Sequence, residues 1–188
     1  MRKQPEVTER TRAALRRAFW ELYAGADGQP PLPVEKVSVR SITERAGYNR
    51  ATFYLYYRDV YELLGQIEEE VLASARDVVE GRIVASGELD FSGHMSYIAE
   101  LARTGGTYFS VLMGPHGDPA FVEAFKRVVR PLVERFLVGE AAGGPAERDL
   151  LSEFYLSGLV AVVSRWVAKY PEMPVEEFIP LVVARLVQ

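Results

Sequence analysis

Apolar residues recur along this chain at helical spacing, and nowhere do they alternate as a half-buried strand would require. Leu15, Ala18, Phe19, Leu22 and Tyr23 share one face and predict an amphipathic helix from about residue 6 to 24. Two glycines and three prolines between Gly25 and Pro33 break it. After Ser38 come two short periodic stretches, Val39 to Ala46 and Arg50 to Tyr57, parted by Gly47-Tyr48-Asn49. Asp59 followed by Glu62 is a helix-start signal, and Leu63, Leu64, Ile67, Val71, Leu72, Ala75, Val78, Val79 and Ile83 carry one stripe from Val60 to about Ala85. Further helices are expected from Phe91 to Arg103, ended by Gly105-Gly106, and from Pro119 to Leu137 with a kink at Pro131. Tyr108 to Met113 forms a short apolar segment between them. The last two helices are expected from about Ala146 to Ala168 and from Pro174 to Leu186, with Pro180 as a bend. The predicted fold class is all-α, with residues 1–64 as a small N-terminal unit and 65–188 as a helical body.

The two short stretches have the layout of a helix-turn-helix. Ser38 and Asn49 stand where a side-chain oxygen caps each helix, and Gly47 stands where the first must end with φ > 0. Val39, Ile42 and Ala46 make one inward stripe; Phe53 and Tyr57 make another. Arg40, Arg50, Thr52, Tyr54 and Tyr56 are left facing out. The second helix carries no acid, and its arginine, hydroxyl and phenol groups suit phosphate oxygens and base edges.

Charge sharpens this reading. The chain of 188 residues has a formal net charge of −4, yet residues 1–64 hold 11 basic against 8 acidic side chains, and the remainder 11 against 18. A basic N-terminal unit on an acidic body can approach nucleic acid with one end only. Chance clustering explains the same asymmetry equally well. Cysteine is absent, which removes thiolate nucleophiles and Cys-ligated zinc. The N-terminus runs into charged sequence, so neither a secretion signal nor a membrane span is expected, and a cytoplasmic protein is. With His94 and His116 as its two histidines, no Gly-rich phosphate loop and no metal-ligand spacing, the chain is expected to be no enzyme and to hold no metal or cofactor. Glu68-Glu69-Glu70 reads as a solvated face.

Val39-Arg40-Ser41-Ile42, Ala46-Gly47, Arg50-Ala51-Thr52-Phe53-Tyr54, Tyr57 and Leu63-Leu64 follow, in type and spacing, the signature of the TetR/AcrR family of one-component bacterial transcriptional regulators, which the N-terminal third resembles. Phe109 to Gly114, Asp118 to Phe121 and Glu153 to Leu159 are similar to one C-terminal subtype, which includes a co-activator of dihydroxyacetone kinase genes. The resemblance implies about nine helices, a homodimer through the last two (about 146–187), a double-stranded DNA operator and a small-molecule effector bound in the body. By position, Arg40, Asn49, Arg50, Ala51, Thr52, Tyr54 and Tyr56 would meet DNA. Val60 stands where the family commonly has a phosphate-gripping lysine, with Arg58 as the nearby substitute, and the loop before Ser38 is longer and richer in proline than usual.

In the body, Tyr97, Tyr108, Phe109, Met113, Phe121, Phe125 and Trp166 have the composition of a ligand-cavity lining, and equally of an ordinary core. Tyr97, Tyr108 and Trp166 rank first as ligand contacts because each adds a polar handle. Two functions stay open: a ligand-responsive repressor, and a DNA-bound co-activator or adaptor whose body docks a partner protein.

Overall fold

A computed structural model describes residues 5–26, 28–88, 90–114, 117–139 and 143–186. His116 and residues 1–4 of the charged N-terminus lie outside the described residues. The described residues are helical throughout, with no strand: α1 (Pro5–Tyr23), a 3₁₀ turn at Val34–Lys36, α2 (Val39–Ala46), α3 (Arg50–Tyr54), α4 (Val60–Val78), α5 (Phe91–Leu112), α6 (Pro119–Val133), α7 (Pro145–Lys169) and α8 (Val175–Leu186). Two π-helical segments, Val79–Val84 and Glu134–Val138, continue α4 and α6. The chain divides into two compact units, Met1–Ile67 and Glu68–Gln188.

In the first unit the inward stripes meet. Leu15, Phe19, Ile42, Phe53, Leu63 and Ile67 are fully buried, and Tyr57 nearly so. Phe19 stacks on Tyr23 with ring centroids 5.5 Å apart, and Phe53 tilts onto Tyr57 at 5.4 Å. Burying each such side chain stabilises by about 1.5–3 kcal/mol. Arg45 adds an ion pair across α1 and α2, its Nε lying 2.6 Å from Glu21 Oε2.

In the second unit α6 packs on α7 and on both π segments, while α5 packs on α7 and α8. Val133, Val138 and Leu156 are the buried centre, with Val129, Leu137, Leu151, Tyr155 and Leu159 around them. Lys126 of α6 reaches α7, where its Nζ lies 2.9 Å from Glu153 Oε1 and 3.2 Å from Ser157 Oγ.

Two expectations are corrected. The helix begun at Phe91 does not end at Gly105-Gly106 but runs on to Leu112. Two glycines cost about 1 kcal/mol each inside a helix, and the burial of Leu112 and Met113 just beyond them outweighs that. The second motif helix closes at Tyr54 rather than Tyr57, since Leu55 and Tyr56 donate to Thr52 and Phe53, the tighter i→i−3 pattern of a final turn. Pro131 lies inside α6, and the winding beyond Val133 changes to a π turn over Glu134–Val138, closed by Gly139 N–H donating to Glu134 O at 3.1 Å. A proline offers no N–H to the carbonyl four residues back, so α6 lacks one i→i−4 bond at Pro131.

Gly47 sits at φ 74°, ψ 32°, and a Cβ built there meets nothing within 4 Å. The cost of a side chain at this position is therefore torsional and not steric. Gly47→Val should lower stability by about 1–2 kcal/mol, and Gly47→Asn by less, as read from urea midpoints; equal losses would show that space, not φ, sets the preference.

Candidate nucleic-acid interface

The helix-turn-helix is held by its caps. Ser38 Oγ accepts from Ser41 N–H at 3.0 Å, while Ser41 Oγ accepts from Ser38 N–H at 3.1 Å, a reciprocal box that satisfies two donors at the start of α2. The left-handed Gly47 then turns the chain. Asn49 Oδ1 accepts from Thr52 N–H at 2.8 Å and starts α3. Glu62 N–H donates to Asp59 Oδ1 at 2.8 Å at the start of α4, and Glu62 Oε2 accepts from Arg58 N–H at 2.6 Å, one residue before the reciprocal position of a standard box.

This scaffold turns Phe53 inward and sends Arg50, Ala51 and Tyr54 outward. Tyr54 is 58% exposed, its ring edge-on to Phe53 at 5.6 Å. Arg50 has no ion pair among the described residues. The other named residues are engaged inside the unit. Arg40 Nε lies 2.6 Å from Glu44 Oε1, and that hydrogen bond and charge hold its proton more firmly than usual. Thr52 Oγ1 donates to Asn49 Oδ1 at 3.0 Å. Arg58 Nε lies 3.2 Å from Asp59 Oδ2, with most of the side chain in solvent. Tyr56 is half-buried. Leu55 and Tyr61, not singled out above, are exposed beside this face; Leu55 stands four residues after Ala51, a spacing that would have marked it.

In the second unit several of the aromatic candidates have packing partners of their own. Phe109 meets Phe125 edge-to-face at 5.2 Å, while Met113 and Phe121 are core residues. The ring of Tyr97 lies under the Arg82 guanidinium, 4.8 Å from its centroid. Trp166 stacks flat on Phe178 at 4.2 Å, and its indole N–H donates to Met173 O at 2.9 Å, so its polar handle is already used. Tyr108 is half-buried.

The solvated reading of Glu68-Glu69-Glu70 holds for Glu69 and Glu70 and fails for Glu68. Glu68 Oε1 is buried with no hydrogen-bond partner among the described residues. Burial, and secondarily the charge of Asp118, push its carboxyl up to about 7. Asp118 is itself fixed as the cap of α6, its Oδ1 accepting from Ala120 N–H at 2.8 Å.

α7 buries Ser152 and Leu156 on one side and leaves Leu150 70% and Phe154 71% exposed on the other. Its 25 residues are long and apolar enough to cross a membrane by length and composition, with 11% of the apolar window buried.

Comparison with known proteins supports the architecture. Residues 95–184 match the TetR-type family described as transcriptional regulator C-terminal region. A TetR transcriptional regulator from Streptococcus agalactiae 2603V has the same fold, with TM-score 0.68 at 20% identity over 97% of each chain. The fatty acid degradation regulator FadR from Bacillus halodurans superposes with TM-score 0.61 at 15% identity, over 100% of this chain and 97% of that one. The dihydroxyacetone kinase operon activator DhaS does so with TM-score 0.55 at 15% identity, over 94% and 96%. Among proteins of curated function, none matches by sequence.

Glu68 keeps its proton in the folded chain up to about pH 7, whereas its ordinary value is 4.5. It therefore contributes stability that is complete below pH 4.5 and lost as pH rises to 7. In Glu68→Gln, thermal unfolding should lose this part of the pH slope, with the variant the more stable of the two at pH 8; parallel profiles would show that Glu68 is not carrying the proton. Residues 95–184, just under half of the chain, thus match the C-terminal region of TetR-type transcriptional regulators, and the chain has the fold of a solved TetR regulator.

Proposed function

We propose that the protein is a ligand-responsive repressor that binds a near-palindromic operator as a homodimer. The observation that carries this reading is the outward face of α3, where Arg50 and Tyr54 stand exposed with no acid beside them. Arg50 is the base or phosphate contact, and Tyr54 and Thr52 are phosphate donors. Asn49, Ala51, Tyr56, Arg40 and Arg58 complete the surface, the two arginines exchanging Glu44 and Asp59 for phosphate on binding. Two copies place two α3 helices in successive major grooves, which requires a separation of about 34–36 Å or a multiple.

The exposed apolar side of α7, with Leu181 on α8, supports an isologous interface through the last two helices. An effector binds in the second unit, with Tyr97, Tyr108, Phe109, Met113, Phe125 and Trp166 as its candidate contacts. It acts along α4, which begins in one unit and continues into the other. To act at all it must bind the two dimer states unequally.

The likeness to an operon activator supports a second reading, in which the DNA-bound protein activates and its C-terminal unit docks a partner protein. A promoter-reporter assay separates the two: deletion of the gene raises expression under repression and lowers it under activation.

Gel shifts on DNA flanking the gene test operator binding. Arg50→Ala with Tyr54→Ala should weaken binding by about two orders of magnitude while sedimentation and circular dichroism stay unchanged. Unaltered affinity would remove α3 as the reading element. Leu150→Glu with Phe154→Glu should convert the dimer to a folded monomer and cost roughly a hundredfold in operator affinity through lost bivalency. A dimer that persists would place the interface elsewhere.

A further inference from the structure

The exposed side of α3 has two edges. Arg50 and Tyr54, four apart, form a polar one; Ala51 and Leu55, also four apart, form an apolar one alongside it. Leu55 caps the helix at φ −76°, ψ −17°, still right-handed, so its side chain keeps helical register with Ala51. At 63% Leu55 is more exposed than Tyr54, and neither Leu55 nor Ala51 carries a side-chain polar atom. The neighbouring polar groups are occupied, Thr52 by Asn49 and Arg58 by Asp59.

A single exposed leucine needs no explanation on an arbitrary surface. This one lies on the element proposed to enter the major groove. There the one apolar group that a base pair presents is the C5-methyl of thymine.

We propose that Ala51 and Leu55 form an apolar reader of thymine methyl groups, giving the operator half-site a thymine that is selected by its methyl and not by its hydrogen-bonding edge. This rests on the operator-binding reading above. Arg50 and the phosphate donors set position and affinity; the Ala51/Leu55 edge adds discrimination at one base pair. Leu55 has few contacts to lose in the folded chain, so its replacement leaves the fold intact.

The test deletes the methyl alone. Duplexes selected from a random library by the full chain are resynthesised with deoxyuridine replacing thymidine, one position at a time. One position in each half-site should lose affinity by about fourfold, the worth of a buried methyl group. Leu55→Ala should bind the thymidine and deoxyuridine duplexes equally at that position, and Leu55→Met should keep the preference. The proposal is overturned if no position distinguishes thymidine from deoxyuridine, or if the preference survives undiminished in Leu55→Ala. Failure to select any duplex would instead overturn the operator-binding reading on which the proposal rests.

Discussion

The three-residue turn Gly47-Tyr48-Asn49 is the constraint on which the exposed surface depends. Gly47 supplies a left-handed backbone that other residues adopt only at a cost, and Asn49 supplies the oxygen that starts the next helix. Between them they set the direction in which α3 leaves. Because α3 is five residues long, any rotation at its start carries through to every side chain on it. Phe53 and Tyr57 then lock the rotation from below by filling the core of the unit. Position in this motif is thus decided twice, by torsion at the turn and by burial on the inner face, and the two decisions agree.

That agreement is why this region was legible in the amino-acid order. Caps, a positive-φ glycine and i, i+4 aromatics each have a local physical cause, and each reads the same in the sequence as in the fold. The body was less legible, because there tertiary burial competes with local preference. Gly105-Gly106 has the local signature of a helix end, and the packing of Leu112 and Met113 overrides it. Glu68 sits in a run of three acids, and nothing in the run distinguishes the one whose oxygen is buried from the two in solvent. Trp166 looked available for a ligand, and only the approach of Met173 O shows where its N–H goes. The π segments were invisible because Val79 and Ile83 keep their spacing whether the winding is α or π.

Internal pairing limits what the N-terminal unit can do electrostatically. Arg40 pairs with Glu44, Arg45 with Glu21 and Arg58 with Asp59, so much of its positive charge is already answered within the unit. These pairs are at least partly exposed and each contributes little to stability. Their effect is on the field: a duplex must compete with a local carboxylate for Arg40, Arg45 and Arg58, whereas Arg50 has no ion pair among the described residues.

If it contacts DNA as proposed, a protein of net charge −4 whose Arg40, Arg45 and Arg58 are already ion-paired would release few counterions, so a single copy would hold non-specific duplex weakly. Under the proposed reading, affinity must then come from joining two half-sites. Once one α3 is seated, the second binds as an intramolecular event, at an effective concentration set by the geometry of the pair. That gain vanishes when the two helices no longer match the groove repeat. Weak single-site binding thus makes occupancy steeply sensitive to spacing, and spacing is the quantity that an effector in the second unit would have to change. A more basic N-terminal unit would bind more tightly and respond less, since each copy would stay on the duplex by charge alone.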